Sequence, residues 1–189
     1  MPPRRKGEAV SRLSALALAA CCLWSPMQVA TTAEPYSEAA VKAAFLYRFA
    51  GYVEWPAAGP SGPPLIIAVL DDTPVADQLD AAVAKQASTA RPTQVVRIAK
   101  IADLGDAHVL FVGGAARNNL RHVISTLASR PVLVVTDAER GLDLGATINF
   151  RVVDRHVRFE VSVAAARRAN LKISSDLLSV AVRVVDGDP

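Results

Sequence analysis

Leu65-Ile66-Ile67-Ala68-Val69-Leu70 is an unbroken apolar run, preceded by Pro63-Pro64 and closed by Asp71-Asp72. A strand with one wet face alternates apolar and polar residues, so a run without alternation predicts a strand covered on both sides. Downstream, Pro74–Gln86 reads as a helix, with Pro74 near its first turn and Leu79 and Val83 four residues apart on one side. Thr93–Ala99 is a second strand and His108–Val112 a third, ending at Gly113-Gly114. Ala116–Ala128 is a helix with Leu120, Val123, Ile124 and Leu127 on one side, and Pro131–Val135 is a fourth strand leading into Thr136-Asp137. Strands alternating with helices predict an α/β fold, a three-layer sandwich around a mostly parallel central sheet. Ligands of such sheets sit beyond the carboxyl ends of the strands, which points to Asp71-Asp72, Gly113-Gly114 and Thr136-Asp137.

The pattern then changes. Ala146–Val153 and His156–Val163 flank Asp154-Arg155, a two-residue turn. With that turn, Ile148 faces Val161, Phe150 faces Phe159 and Val152 faces Val157, all apolar. On the other side Asn149 faces Glu160 and Arg151 faces Arg158, while Val153 with His156 is the one mixed pair. Alternation kept in register on both strands predicts a late antiparallel hairpin packed by one face. Opposed arginines repel. Glu160 offsets them internally, or a bound carboxylate or phosphate does so through bidentate hydrogen bonds, with His156 as a further donor when protonated. The bland alternative is a solvated face with the arginine stems lying flat. The candidate ligand-binding residues are therefore His156, Arg158, Arg151, Glu160 and Asn149. Trp55 joins them because an indole at the end of a helix caps a pocket or stacks on a planar ligand, although it more often closes a core.

At the flanks, Ser37 caps a helix through Glu38, Val41, Ala44, Phe45, Phe49 and Tyr52, whose apolar spacing predicts one face on the core. Pro56 ends it, and Pro60, Gly62, Pro63 and Pro64 make a stiff connector. The tail reads as two helices, Ala164–Asn170 and Ser174–Val184. Ser174 is a cap for the second, and Leu177, Leu178 and Ala181 are its docking residues.

The chain of 189 residues is 51% hydrophobic and 21% charged, enough for one domain with a sizeable core. Residues 1–33 read as a signal peptide. Basic residues crowd Met1–Arg12, the apolar run Leu13–Trp24 falls short of the roughly 20 residues that span a bilayer, and small residues through Ala33 precede a cut at Glu34. Leu18-Ala19-Ala20-Cys21 offers a second, lipoprotein cut before Cys21, and a retained short anchor is a third reading. Residues 34–189 form the single exported domain. Setting the leader aside takes four from the 21 basic residues and one from the 18 acidic ones, leaving 17 of each. A neutral domain lacks the basic footprint that nucleic acid requires. With the cut after Ala33, Cys21 and Cys22 leave with the leader, and the domain then has no disulfide, thiol nucleophile or thiolate metal site. His108, His122 and His156 follow no metal spacing, and neither a Gly-x-Ser-x-Gly elbow nor a phosphate loop occurs. His108 reads as structural, Asp71-Asp72 as a turn and helix start, and Gly113-Gly114 as a turn with a faint hint of close backbone approach. No catalytic set, metal or cofactor is expected.

Two stretches carry a family likeness. One is Ala43-Ala44-Phe45-Leu46-Tyr47-Arg48-Phe49 with Tyr52-Val53-Glu54-Trp55-Pro56. The other runs from Gly145-Ala146-Thr147-Ile148-Asn149-Phe150 through His156-Val157-Arg158-Phe159-Glu160-Val161 and Ala164-Ala165-Ala166-Arg167 to Leu171-Lys172-Ile173-Ser174-Ser175-Asp176-Leu177-Leu178. Together they resemble the YfiR family, from about Ser37 to Val184. The resemblance implies a periplasmic α/β domain that dimerises. It also implies a partner, the periplasmic portion of a membrane-bound diguanylate cyclase or another inner-membrane sensor, whose repression lowers cyclic-di-GMP and biofilm formation. It further implies a small ligand near a His-x-Arg pair, matched by His156-Val157-Arg158. Some members carry cysteines near the positions of Ala68 and Ala107, so a disulfide switch there is closed to this chain.

Overall fold

The computed structural model describes residues 37–56, 64–85, 92–127 and 130–187. The segment expected to be a signal peptide, both expected processing sites and most of the proline connector lie outside them. Helix α1 (Glu38–Phe49) is capped by Ser37, whose hydroxyl accepts from the Ala40 N–H. It passes through a 3-10 turn into the short strand β1 (Val53–Glu54). Then follow β2 (Leu65–Leu70), α2 (Thr73–Lys85), β3 (Thr93–Ile98), β4 (Val109–Val112), a 3-10 segment at Gly114–Asn119, α3 (Leu120–Leu127) and β5 (Leu133–Thr136). The hairpin strands are β6 (Ile148–Val153) and β7 (His156–Ser162). After them come α4 (Val163–Arg168), β8 (Lys172–Ile173), α5 (Ser175–Ser179) and β9 (Arg183–Val185).

Seven strands form one sheet in the order β3-β2-β4-β5-β6-β7-β9, parallel throughout except that β6 and β7 pair antiparallel, so β7 and β9 run against the rest. One face buries Ile67, Val69, Phe111, Val135, Phe150 and Phe159 against α1, α2, α4 and α5. The other buries Ala68, Leu70, Leu110, Val112 and Val134 against α3. This is the three-layer α/β arrangement expected, and the unalternating run at Leu65–Leu70 is the strand flanked on both edges and covered on both faces. On the first face Phe45, Phe49, Phe150 and Phe159 cluster, with ring centroids 5.0 Å apart at the closest pair, Phe49 and Phe159.

Asp154 and Arg155 both have positive φ, 49° and 64°, as a two-residue hairpin turn twisted to match its strands requires. The register is the expected one in all six pairs, from Ile148 opposite Val161 to Val153 opposite His156.

Four expectations need correction. The buried side of α1 is Lys42, Ala43, Leu46 and Phe49, while Ala44 and Tyr52 are exposed. The face is rotated toward Lys42, which is buried with Glu38 and Asp137 as carboxylate partners. The helix placed at Ala116–Ala128 begins as a 3-10 segment. The tail helix stops at Ser179, and Arg183–Val185 turns extended to pair with β7. Val152, expected inside, is 58% exposed, because the hairpin tip projects past α1.

Candidate functional site

The chain leaves β2 to form β3 on one side and returns to form β4 on the other, so the crevice of the topological switch lies between the carboxyl ends of β2 and β4. The chain itself fills that crevice. Asp72 accepts from the Val75 N–H through Oδ1 and so starts α2, and Asp71 accepts from the Ala116 N–H at 3.0 Å. A Cβ on Gly113 would lie 2.5 Å from the Asp72 carboxylate, and one on Gly114, where φ is +46°, would lie 2.0 Å from the Asp71 carbonyl. The faint hint carried by the glycine pair is a close approach, but to the protein's own aspartates.

The open space lies one strand further. Strand β6 pairs with β5 only at Ile148 and Asn149, then runs on beyond the end of β5. The notch beside the projecting half of β6 has a volume of about 190 Å³ and is lined by Lys42, Arg117, Asp137 and Arg151, among others. A larger cleft of about 680 Å³ adjoins it through Arg117, Asp137, Ala138 and Glu139. Asp137, nearly buried, is clamped between two cations. Lys42 Nζ lies 2.5 Å from its Oδ2 and Arg117 donates to its Oδ1 at 3.1 Å. Lys42 also meets Glu38 at 2.5 Å. Burial acts to lower the Lys42 pKa, but the hydrogen bonds to Asp137 and Glu38 outweigh it and hold the pKa above the ordinary value.

The hairpin's polar side continues this surface. Arg151 and Arg158 stand opposite one another as register partners and both are exposed. Arg151 donates from Nη1 to the Glu139 carbonyl at 3.0 Å. Glu160 does not reach Arg158; its oxygen approaches Arg183 of β9 at 3.9 Å. Arg158 has no ion-pair partner among the described residues. His156 is exposed, with Nδ1 2.7 Å from the Asp154 carbonyl. His156, Arg158, Arg151 and Glu160 thus share one uncovered side of the sheet, joined by Arg183, which a helical reading of the tail hid.

Asn149 and Trp55 lie elsewhere. Asn149 is on the same side of β6 but 1% exposed, because residues 137–145 fold over it; a Cβ on Gly141 would lie 2.5 Å from its Oδ1. Neither amide atom has a hydrogen-bond partner. Trp55 is buried near the amino end of β4, at the opposite end of the sheet from the hairpin tip. Its ring meets the edge of His108 at 5.7 Å, and its Nε1 has no partner. His108 is structural, accepting at Nδ1 from the Ile66 N–H at 3.2 Å. Lys42, Arg117 and Asp137 were missed as a set because nothing in their spacing joins a helix, a 3-10 turn and a strand end. The rule of strand carboxyl ends does single out Asp137. No group of three or more metal-ligating side chains forms among the described residues.

A twisted, mostly parallel sheet between helical layers, with a cationic patch on its projecting hairpin, defines a three-layer α/β domain. The chain belongs to the YfiR/HmsC-like family, whose model matches residues 39–182. It is also similar to the solved structure of a conserved domain protein from Vibrio cholerae O1 biovar eltor, with a TM-score of 0.54 and 12% identity. That match covers 78% of this chain and 60% of the other, and at such identity the likeness shows the fold alone. No curated protein matches the chain. None of the described helices is long and apolar enough to cross a membrane.

Proposed function

We propose that this protein is a periplasmic regulator that binds the extracytoplasmic part of a membrane-bound signalling protein, a diguanylate cyclase, and represses it, so lowering cyclic-di-GMP and biofilm formation. Family membership supports the regulatory role. The observation that carries the binding face is the opposed pair Arg151 and Arg158 on an uncovered sheet, with Glu160 drawn away to Arg183. Two guanidinium groups without an internal carboxylate between them favour an anion from outside, a carboxylate or phosphate on a small ligand, with His156 as a further donor. A ligand that prefers one state of the regulator shifts its equilibrium with the partner. The domain acts as a homodimer in this account.

The test is affinity purification of the mature protein from membranes of its own organism, with cyclic-di-GMP measured in a deletion strain. Recovery of a membrane cyclase and a rise in cyclic-di-GMP on deletion are expected. Absence of both rejects the regulatory role. A second reading, a stand-alone binding module for small anions, rests on the same arginines. It predicts anion binding that Arg158→Gln abolishes at an unchanged melting temperature, with no cyclase partner.

A further inference from the structure

The trough between α1 and α2 belongs to none of these surfaces. Helix α1 starts near Asp137, beyond the end of β5, and leads to Trp55 at the amino end of β4. Helix α2 leaves the carboxyl end of β2. The two therefore run parallel, side by side, on the sheet face opposite the arginine pair. Ala40, Ala44, Phe45 and Ala81 are among the residues that line a cavity of about 480 Å³ between them, with Gln78 as a polar neighbour on α2 and Arg48 and Lys85 as its two cations. Because the helices are parallel, these two cations, each in the last turn of its helix, stand at the same end of the trough. Neither has an ion-pair partner among the described residues. The carbonyl ends of the helices favour cations there, but fractional dipole charge does not neutralise two whole ones.

We propose that this trough binds a single-chain carboxylic acid, with its hydrocarbon along the alanines and Phe45 and its carboxylate between Arg48 and Lys85. Charge complementarity selects the occupant. A neutral hydrocarbon would cover the trough and leave both cations unmatched. A compact phosphate would use the cations and leave the methyl groups wet. One carboxylate accepts from both donors by charge-assisted hydrogen bonds, while the tail removes apolar surface from water. From Ala40 to Arg48 the trough runs about 12 Å, at 1.5 Å rise per helical residue, a length suited to a medium acyl chain. The site shares no residue with the arginine pair, so either can fail without the other.

The experiment is calorimetric titration of the mature protein with decanoate and with decyltrimethylammonium, both below their micelle concentrations. Saturable one-site binding of decanoate is expected, with none of the cation. Arg48→Gln/Lys85→Gln, which removes both charged donors, should weaken decanoate binding at least about tenfold, since the loss of even one charge-assisted contact costs about that much. Ala81→Phe, at an exposed position whose new ring fills the trough, should weaken it as much. Arg158→Gln should leave it unchanged, and circular dichroism confirms that each variant is folded. No saturable decanoate binding, equal binding of the cation, or binding indifferent to both trough variants overturns the proposal.

Discussion

Asn149 shows what a single residue costs in this fold. It sits on the arginine-bearing side of β6, yet its amide is sealed under residues 137–145 with neither atom hydrogen-bonded. A buried amide without partners forfeits its hydration, and replacing it by an apolar group of similar shape is neutral or stabilising. Asn149→Leu should therefore hold or raise stability, by up to about 1 kcal/mol, in urea unfolding. A loss larger than that would mean the amide is satisfied. Lys42 is the opposite case, a buried charge with its partners in place. Its raised pKa means that the folded state holds the proton more tightly than the unfolded chain. The stabilisation is complete below the ordinary value of 10.5 and is lost as pH rises through the higher folded value. Alkaline unfolding above pH 10.5 should be shallower in Lys42→Met than in the wild type. Identical slopes would remove the ion cluster from the stability of the fold.

Among the elements, the hairpin was the most legible. Period-two alternation on both strands fixes which residues face inward, and Asp154-Arg155 fixes the register, so all six pairs follow from sequence. Alternation does not reveal how far a strand projects beyond its neighbours. That is why Phe159 and Val152, equivalent in pattern, differ in burial. Phe159→Ala should cost about 3 to 5 kcal/mol, the usual penalty for emptying a buried aromatic site. Val152→Thr should change stability by less than about 0.5 kcal/mol, as at other exposed positions. Comparable costs at both sites would contradict the projecting tip. The terminal strand β9 was hidden because Leu177, Leu178 and Ala181 continue a helical spacing past Ser179. The valines at 182, 184 and 185, β-branched on either side of Arg183, were the signal that helix gives way to strand. Strands β1 and β8, two residues each, leave no pattern to detect.

At the scale of the whole molecule, chain order and hydrophobic pattern gave the layers, and the rule of strand carboxyl ends pointed to the end of the sheet where the cleft and the notch open. Sequence could not show that Asp71 and Asp72 plug the switch-point crevice, nor that the opening moves to the notch beside β6, because both depend on side chains meeting across the sheet. The same gap separated Arg183 from Arg158 in the reading of the sequence. In the proposed function, the exposed pair Arg151 and Arg158 is the surface through which the regulator works. The most direct measurement is cyclic-di-GMP in a deletion strain complemented with wild type or with Arg151→Gln/Arg158→Gln, the variant's folding and export being verified. Deletion should raise cyclic-di-GMP, wild type should restore it and the variant should not. Full restoration by the variant, or no rise on deletion, would contradict it.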